Sequence, residues 1–282
     1  MDSAANAIPL ASQPAESAEI KGKPATSRVA GPALALAQRE WVRFLRQRNR
    51  VIGAILTPVL FWLLLGGGMG SSFTGPTGEP YLEYFFPGML LMIVLFTAIF
   101  ATITLIEDRR EGFMQGVLAA PVPRWGVVLG KTLGGASLAS AQAILLLLVA
   151  PLAGIELTFT GFIIAAGFCV GLSFALVALG MMLAWPMTST QGYHVAMNLL
   201  LMPLWFLSGA VFPLNSVGFA PIRWIAQANP LSYGLSGLRS GLGGDAVAPL
   251  WVCGLVTLVT AVGLFAAACV VANRPVRADV ES

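Results

Sequence analysis

Six apolar stretches decide what this chain of 282 residues can fold into: Val51–Gly68, Pro87–Ile106, Trp125–Ala150, Gly161–Trp185, Tyr193–Val211 and Leu250–Ala272. Each is close to the roughly 20 residues that a helix needs to cross a hydrocarbon core about 30 Å thick. Backbone in hydrocarbon finds no water, so each stretch must satisfy its own amides as a helix. The composition agrees: 57% of residues are hydrophobic and 10% charged, against about 25% charged in soluble domains. The expected fold is an all-α integral membrane protein with six transmembrane helices spread over residues 51–273.

Between the second and third stretches the chain turns abruptly polar. Glu107, Asp108, Arg109, Arg110 and Glu111 stand in a row, followed by Gly112. One ionised group at the bilayer centre costs at least about 3 kcal/mol, so this block is expected to protrude into water. No proline interrupts the run to Ala120, which predicts a short helix over 107–120, stopped by Pro121 and Pro123. A membrane protein that holds a charged helix clear of the bilayer has a partner for it to touch.

Orientation follows from the cations. Fourteen of the sixteen Lys and Arg residues fall before the first stretch, in the 107–131 connection or after residue 273, leaving Arg223 and Arg239 on the other side. The bias of Lys and Arg towards the cytoplasm then puts both termini and the charged block inside. The net charge of +3 reflects this asymmetry, and nothing points to nucleic acid.

Residues 1–32 are rich in Ala, Ser and Pro and lack the apolar core of about 7–15 residues that a secretory signal carries. They are read as a disordered cytoplasmic tail, and 274–282 as a cytoplasmic tail. Over 33–50 the pattern becomes helical: Leu34, Ala37, Trp41, Phe44 and Leu45 share one face, and Arg39, Arg43, Arg46 and Arg50 cover much of the rest. This predicts an amphipathic helix on the membrane surface; a cytoplasmic extension of the first span is the alternative.

Ahead of the sixth stretch, 212–244 holds two apolar segments too short to span, joined at Asn229–Pro230. Asn as a cap followed by Pro at the first helical position reads as a helix start. A re-entrant hairpin is expected, its irregular backbone covered by protein or lining a water-filled cavity. Phe212, Pro213, Asn229, Pro230, Tyr233 and Arg239 are its candidate gate residues. A loop resting on the surface is the alternative.

Several chemistries are excluded or disfavoured. Gly130–Lys131–Thr132 resembles the end of a phosphate-binding loop, but its first glycine would have to be Trp125; Lys131 reads instead as a lysine reaching for the inner interface. The six stretches hold no acidic residue, which disfavours ion coupling. Ser208 and His194 lie fourteen residues apart in one helix, about 21 Å by rise, too far for a catalytic dyad. Cys169, Cys253 and Cys269 fall inside spans and suggest neither a disulfide nor a metal site. No catalytic or metal-binding residue is assigned, and the chain is not expected to be an enzyme. Gly66/Gly70, Gly130/Gly134 and Gly167/Gly171 read as close packing within the bundle. Ser137, Ser140 and Gln142 read as bonds between neighbouring helices or as pathway lining.

Glu107–Gly112, the Pro121–Val122–Pro123–Arg124 turn, Gly130–Lys131, Ser208–Gly209, Phe212–Pro213 and Asn229–Pro230–Leu231–Ser232–Tyr233 through Arg239 follow in the order seen in ABC-2 type transporter permeases. The pattern covers residues 33–273 and resembles bacterial drug-resistance and nodulation-type export permeases. Phe113 stands where many members have Thr. The resemblance implies a permease subunit of an ATP-driven exporter in the bacterial inner membrane, pairing as a homodimer or heterodimer. It also implies two copies of a separate ATPase, which carries ATP and Mg while this chain carries no cofactor. Glu107, Asp108, Arg109, Arg110, Glu111 and Gly112 would belong to the coupling helix that docks on that ATPase. A non-transporting scaffold subunit is the rival reading.

Overall fold

The computed structural model describes residues 27–69, 75–76, 78–213 and 219–274. The tail readings over 1–26 and 275–282 lie outside the described residues, as does the 214–218 part of the hairpin. The described elements are helices: α1 (Ser27–Arg46), α2 (Arg48–Met69), α3 (Tyr81–Arg110), α4 (Phe113–Ala119), α5 (Arg124–Leu147), α6 (Phe159–Ala184), α7 (Thr190–Phe206), α8 (Ala220–Ala228), α9 (Pro230–Gly241) and α10 (Leu250–Asn273), with a single 3-10 turn at Ala150–Ala153.

α3 is the pillar. It is apolar on all sides, as a helix surrounded by others must be, and nearly every side chain from Tyr81 to Ile106 is buried. α2, α5, α6 and α7 pack around it. At a rise of about 1.5 Å per residue its thirty residues reach about 45 Å. That matches the bilayer with its headgroups, about 40–45 Å, so the charges of its last turn need not lie in hydrocarbon.

Four helices are long and apolar enough to cross a membrane: α2, α3, α6 and α10. All six expected spans fall on helices, but α5 and α7 do not meet that standard. α5 mixes its apolar residues with glycines, Lys131, Thr132, Ser137, Ser140 and Gln142, and α7 has only seventeen residues.

α1 begins earlier than expected, at Ser27, with Pro32 inside the helix, and ends at Arg46; Gln47 separates it from α2. The expected helix over 33–50 is thus cut at its end, and 27–32 is helix and not tail. The buried face also differs. Val29, Ala33, Leu36, Glu40 and Phe44 turn inward, while Leu34 and Leu45 point out. The seat on α5 explains this: a Cβ at Gly130 would come within 2.8 Å of the Ala33 carbonyl oxygen, and one at Gly134 within 3.0 Å of Ala37 Cα. The spacing of these two glycines therefore serves packing between α1 and α5. Trp41 Nε1 donates to Ser137 Oγ across the same seam (2.8 Å). Thr97 Oγ donates to Gln142 Oε1 between α3 and α5 (2.5 Å). Both contacts favour the helix-bonding reading of Ser137 and Gln142.

Candidate coupling site and hairpin

The charged block does not form one helix with the residues after it. Glu107–Arg110 complete the last turn of α3, Gly112 adopts φ 77°, and the short helix is Phe113–Ala119. A left-handed backbone strains any residue with a Cβ, so glycine fits this joint.

The expectation that the whole block stands in water fails at Asp108, whose side chain is fully buried. α1 and α5 carry the partners that make burial possible. Lys131 Nζ donates to Asp108 Oδ2 (2.6 Å) and to Glu40 Oε1 (2.6 Å). Arg39 grips Asp108 with both terminal nitrogens, at 2.9 and 2.7 Å, a bidentate geometry only guanidinium offers. That hydrogen bond, ahead of the burial that opposes it, raises the Arg39 pKa above its ordinary value. Arg43 also bonds Asp108, and reaches Glu107 (2.8 Å) and Glu111 (3.4 Å). Arg50 closes the set on Glu107, and Thr104 donates to Glu40 (2.9 Å). Four carboxylates therefore meet four cations across α1, α2, α3 and α5, with Glu111 the one mostly exposed acid. Lys131 does not reach for the interface, because Glu40 is brought beside it when α1 docks.

The arginines of the block face the other way. Arg109 donates to the Met187 carbonyl (3.3 Å) and lies over the Trp185 ring, and Arg110 donates to the Thr188 carbonyl (3.0 Å). One turn of α3 thus holds α1 and α5 through its acids and the α6–α7 connection through its bases. Phe113 has a partner too: the Arg39 guanidinium lies 3.7 Å from its ring centroid. Beyond it, α4 presents Gln115, Gly116 and Leu118 outward. A cleft of ≈ 500 Å³ separates α4 from α1, with Leu36, Phe113, Gly116 and Val117 among its walls.

At the opposite end of α3, Asn229 caps α9 through Oδ1, which accepts from the Leu231 amide (3.0 Å), with Pro230 first in the helix. Its Nδ2 donates to the Leu204 carbonyl of α7 (2.6 Å). α9 runs antiparallel to α6 on a stripe of glycines. A side chain at Gly241 would meet Ala165, one at Gly237 would meet Phe168, and one at Gly234 would meet Leu172, near the midpoint of α6. α8 stays open, with Phe219, Trp224 and Ile225 exposed.

The segment after α7 is pinned by long-range bonds. Tyr81 donates to the Val211 carbonyl and Tyr84 to that of Gly209, both at 2.9 Å. Arg239 also donates to Gly209 (3.0 Å) and stacks over Tyr84, 4.4 Å from its centroid. The cavity Arg239 borders, ≈ 480 Å³, is lined as well by Glu79, Glu83 and Glu156. Phe212, Pro213 and Tyr233 are half-buried nearby in the chain. Among the candidate gate residues, Asn229 and Arg239 bond directly to the hairpin's framework. The tyrosines of α3 that hold this segment were missed, since Tyr81 and Tyr84 precede the stretch read as a span.

The family model described as ABC-2 type transporter matches residues 33–242. A putative transport permease, ycf38, of Cyanophora paradoxa is 26% identical over 72% of this chain and 71% of its own length. The inner membrane transport permease YadH of Escherichia coli K12 is 25% identical over 75% of this chain and 80% of its own. The daunorubicin resistance ABC transporter permease protein DrrB1 of Streptomyces coeruleorubidus is 24% identical over 85% and 84%.

Proposed function

The chain belongs to the ABC-2 type transporter family, and from that premise we propose that it is the permease subunit of an exporter driven by a separate ATPase. It would work as a homodimer or heterodimer in the bacterial inner membrane, with two ATPase copies that carry ATP and Mg. The names of the relatives, an inner membrane transport permease and a drug-resistance permease among them, support this reading.

One observation carries the coupling assignment. The last turn of α3 holds α1 and α5 with its acids and the α6–α7 connection with its arginines, and the exposed α4 hangs from it across Gly112. A force applied to α4 meets several helices at one turn of chain. ATPase docking is therefore assigned to α4, Glu111 and the cleft towards α1, while Glu107, Asp108, Arg109 and Arg110 pass the motion on. Six spans, cytoplasmic termini and a re-entrant α8–α9 hairpin complete the proposed arrangement. The hairpin reading draws support from α9, whose Gly234 lies beside the middle of α6. Gating would fall to Phe212, Pro213, Asn229, Pro230, Tyr233 and Arg239.

Reversing Glu107 would break its internal bonds to Arg43 and Arg50, so loss of function there would not separate docking from folding. Leu118→Glu and Gln115→Lys are cleaner, since both side chains are exposed and neither is bonded to the ion network. Each variant should keep its melting behaviour yet copurify poorly with the ATPase and fail to export. Normal copurification and export by both would rule out α4 as the docking element, and a permease without substrate-stimulated ATP turnover would favour the scaffold reading.

A further inference from the structure

At the break between α1 and α2, five consecutive residues, Arg46 to Arg50, line a cavity of ≈ 430 Å³. Three of them are arginines. Arg50 is engaged by Glu107, but among the described residues neither Arg46 nor Arg48 has an ion-pair partner, and both are exposed. The lining offers no carboxylate, so the site is suited to an anion and not to an ammonium group.

The helix that leaves this pocket supplies the second half of the observation. α2 is long and apolar enough to cross a bilayer. It packs on the protein through Ala54, Pro58, Trp62 and Gly66. Its other side carries Arg48 and then Ile52, Leu56, Leu60 and Leu63, all exposed. Residues three and four apart neighbour one another on a helix, so these form one apolar track that starts at the arginine pocket. Guanidinium binds phosphate oxygens in pairs, and cations at a membrane surface attract anionic lipid.

We propose that Arg46 and Arg48 bind the phosphate of an anionic phospholipid whose acyl chain lies along Ile52, Leu56, Leu60 and Leu63. This rests on α2 spanning the bilayer and is independent of the transport reading. Arg50 lines the same cavity and holds Glu107, so a bound headgroup would sit next to the ion network of the coupling site.

The test uses the full chain reconstituted in phosphatidylcholine vesicles doped with phosphatidylglycerol. Lipid retained after mild detergent extraction is read by native mass spectrometry. Wild type should retain phosphatidylglycerol in preference to phosphatidylcholine. Each arginine is expected to contribute about fivefold to that preference, so the R46Q/R48Q double variant should lose most of it and R46K/R48K should keep part. Among the described residues neither side chain has an ion-pair partner, so the melting temperature should not move. Should the double variant still fail to fold, the wild-type preference and the single R48Q variant decide the matter. Equal retention of the two lipids, or retention unaffected by the substitutions, overturns the proposal. Displacement of the lipid by inorganic phosphate would assign the pocket to a soluble anion and also overturn it. Unchanged lipid retention with weakened ATPase capture would assign it to a protein partner and overturn it likewise.

Discussion

Lys131 of α5 and Asp108 of α3 meet at 2.6 Å with both side chains almost wholly shielded from solvent. Removing one member of a buried pair leaves an uncompensated charge and costs about 3–5 kcal/mol. Asp108→Asn should show that loss most fully, because Arg39, Arg43 and Lys131 all lose a partner at once. Lys131→Met should cost less, since Asp108 keeps both arginines and Glu40, though it loses its close cation, keeps Thr104 and has Arg39 at 4.0 Å. Unfolding in mixed micelles would measure the two and their combination; equal and additive losses would mean that the pair is not coupled.

The seat of α1 on α5 gives a second prediction. Gly130→Val places side-chain atoms where the Ala33 backbone already lies. Overpacking of this kind costs about 1–3 kcal/mol, and it should separate Glu40 from Lys131. A lowered melting temperature is expected, with weakened cross-linking between cysteines placed at Trp41 and Ser137. Unchanged cross-linking would mean that α1 is not held by this seam.

For the hairpin, single cysteines at Ile225 and Leu235 separate its two arms. Ile225 is about half exposed on α8, and Leu235 is buried on α9. With Cys169, Cys253 and Cys269 removed, a membrane-impermeant thiol reagent should label position 225 and spare 235. Equal labelling of both would make the segment a surface loop. Asn229→Ala removes the α9 cap, worth about 1 kcal/mol, as well as the bond to Leu204. Export should suffer more than assembly.

Topology can be read with tags. A tag at residue 20 and one after residue 282 should both report cytoplasmic, and one at Gly78 should report the outside, given where the cations fall. An external C-terminus would mean that the spans are miscounted, first of all because Phe219–Leu242 crosses and is not re-entrant.

Local signals made much of this legible in the sequence. Every expected span falls on a helix, and the Asn229–Pro230 start is where α9 begins, because apolar runs and cap residues act within a few positions of themselves. Lys131 shows where such reading stops. A single lysine near the end of an apolar run looks like an interface residue, and its partners Glu40 and Asp108 lie 91 and 23 positions away. Only packing of α1 on the glycines of α5 brings Glu40 near. The start of α1 was hidden for a different reason: Pro32 looks like a boundary, since past the first turn a proline removes an intrahelical bond, yet the helix runs through it from Ser27.

Gly112, left-handed at φ 77° between the charged turn and α4, has a mechanical meaning. α3 and α4 are not one rod, so a twist of α4 about its own axis need not turn α3. On the proposed coupling, the joint would act as a swivel that carries thrust and sheds torque. Gly112→Ala, strained by about 1–2 kcal/mol in that conformation, should leave ATPase binding intact and lower the export obtained per ATP hydrolysed. Unaltered coupling would mean the swivel is idle in the cycle. On that reading, what reaches the buried carboxylate of Asp108 would be a displacement along the chain, and the helices it grips would be pushed without being wound.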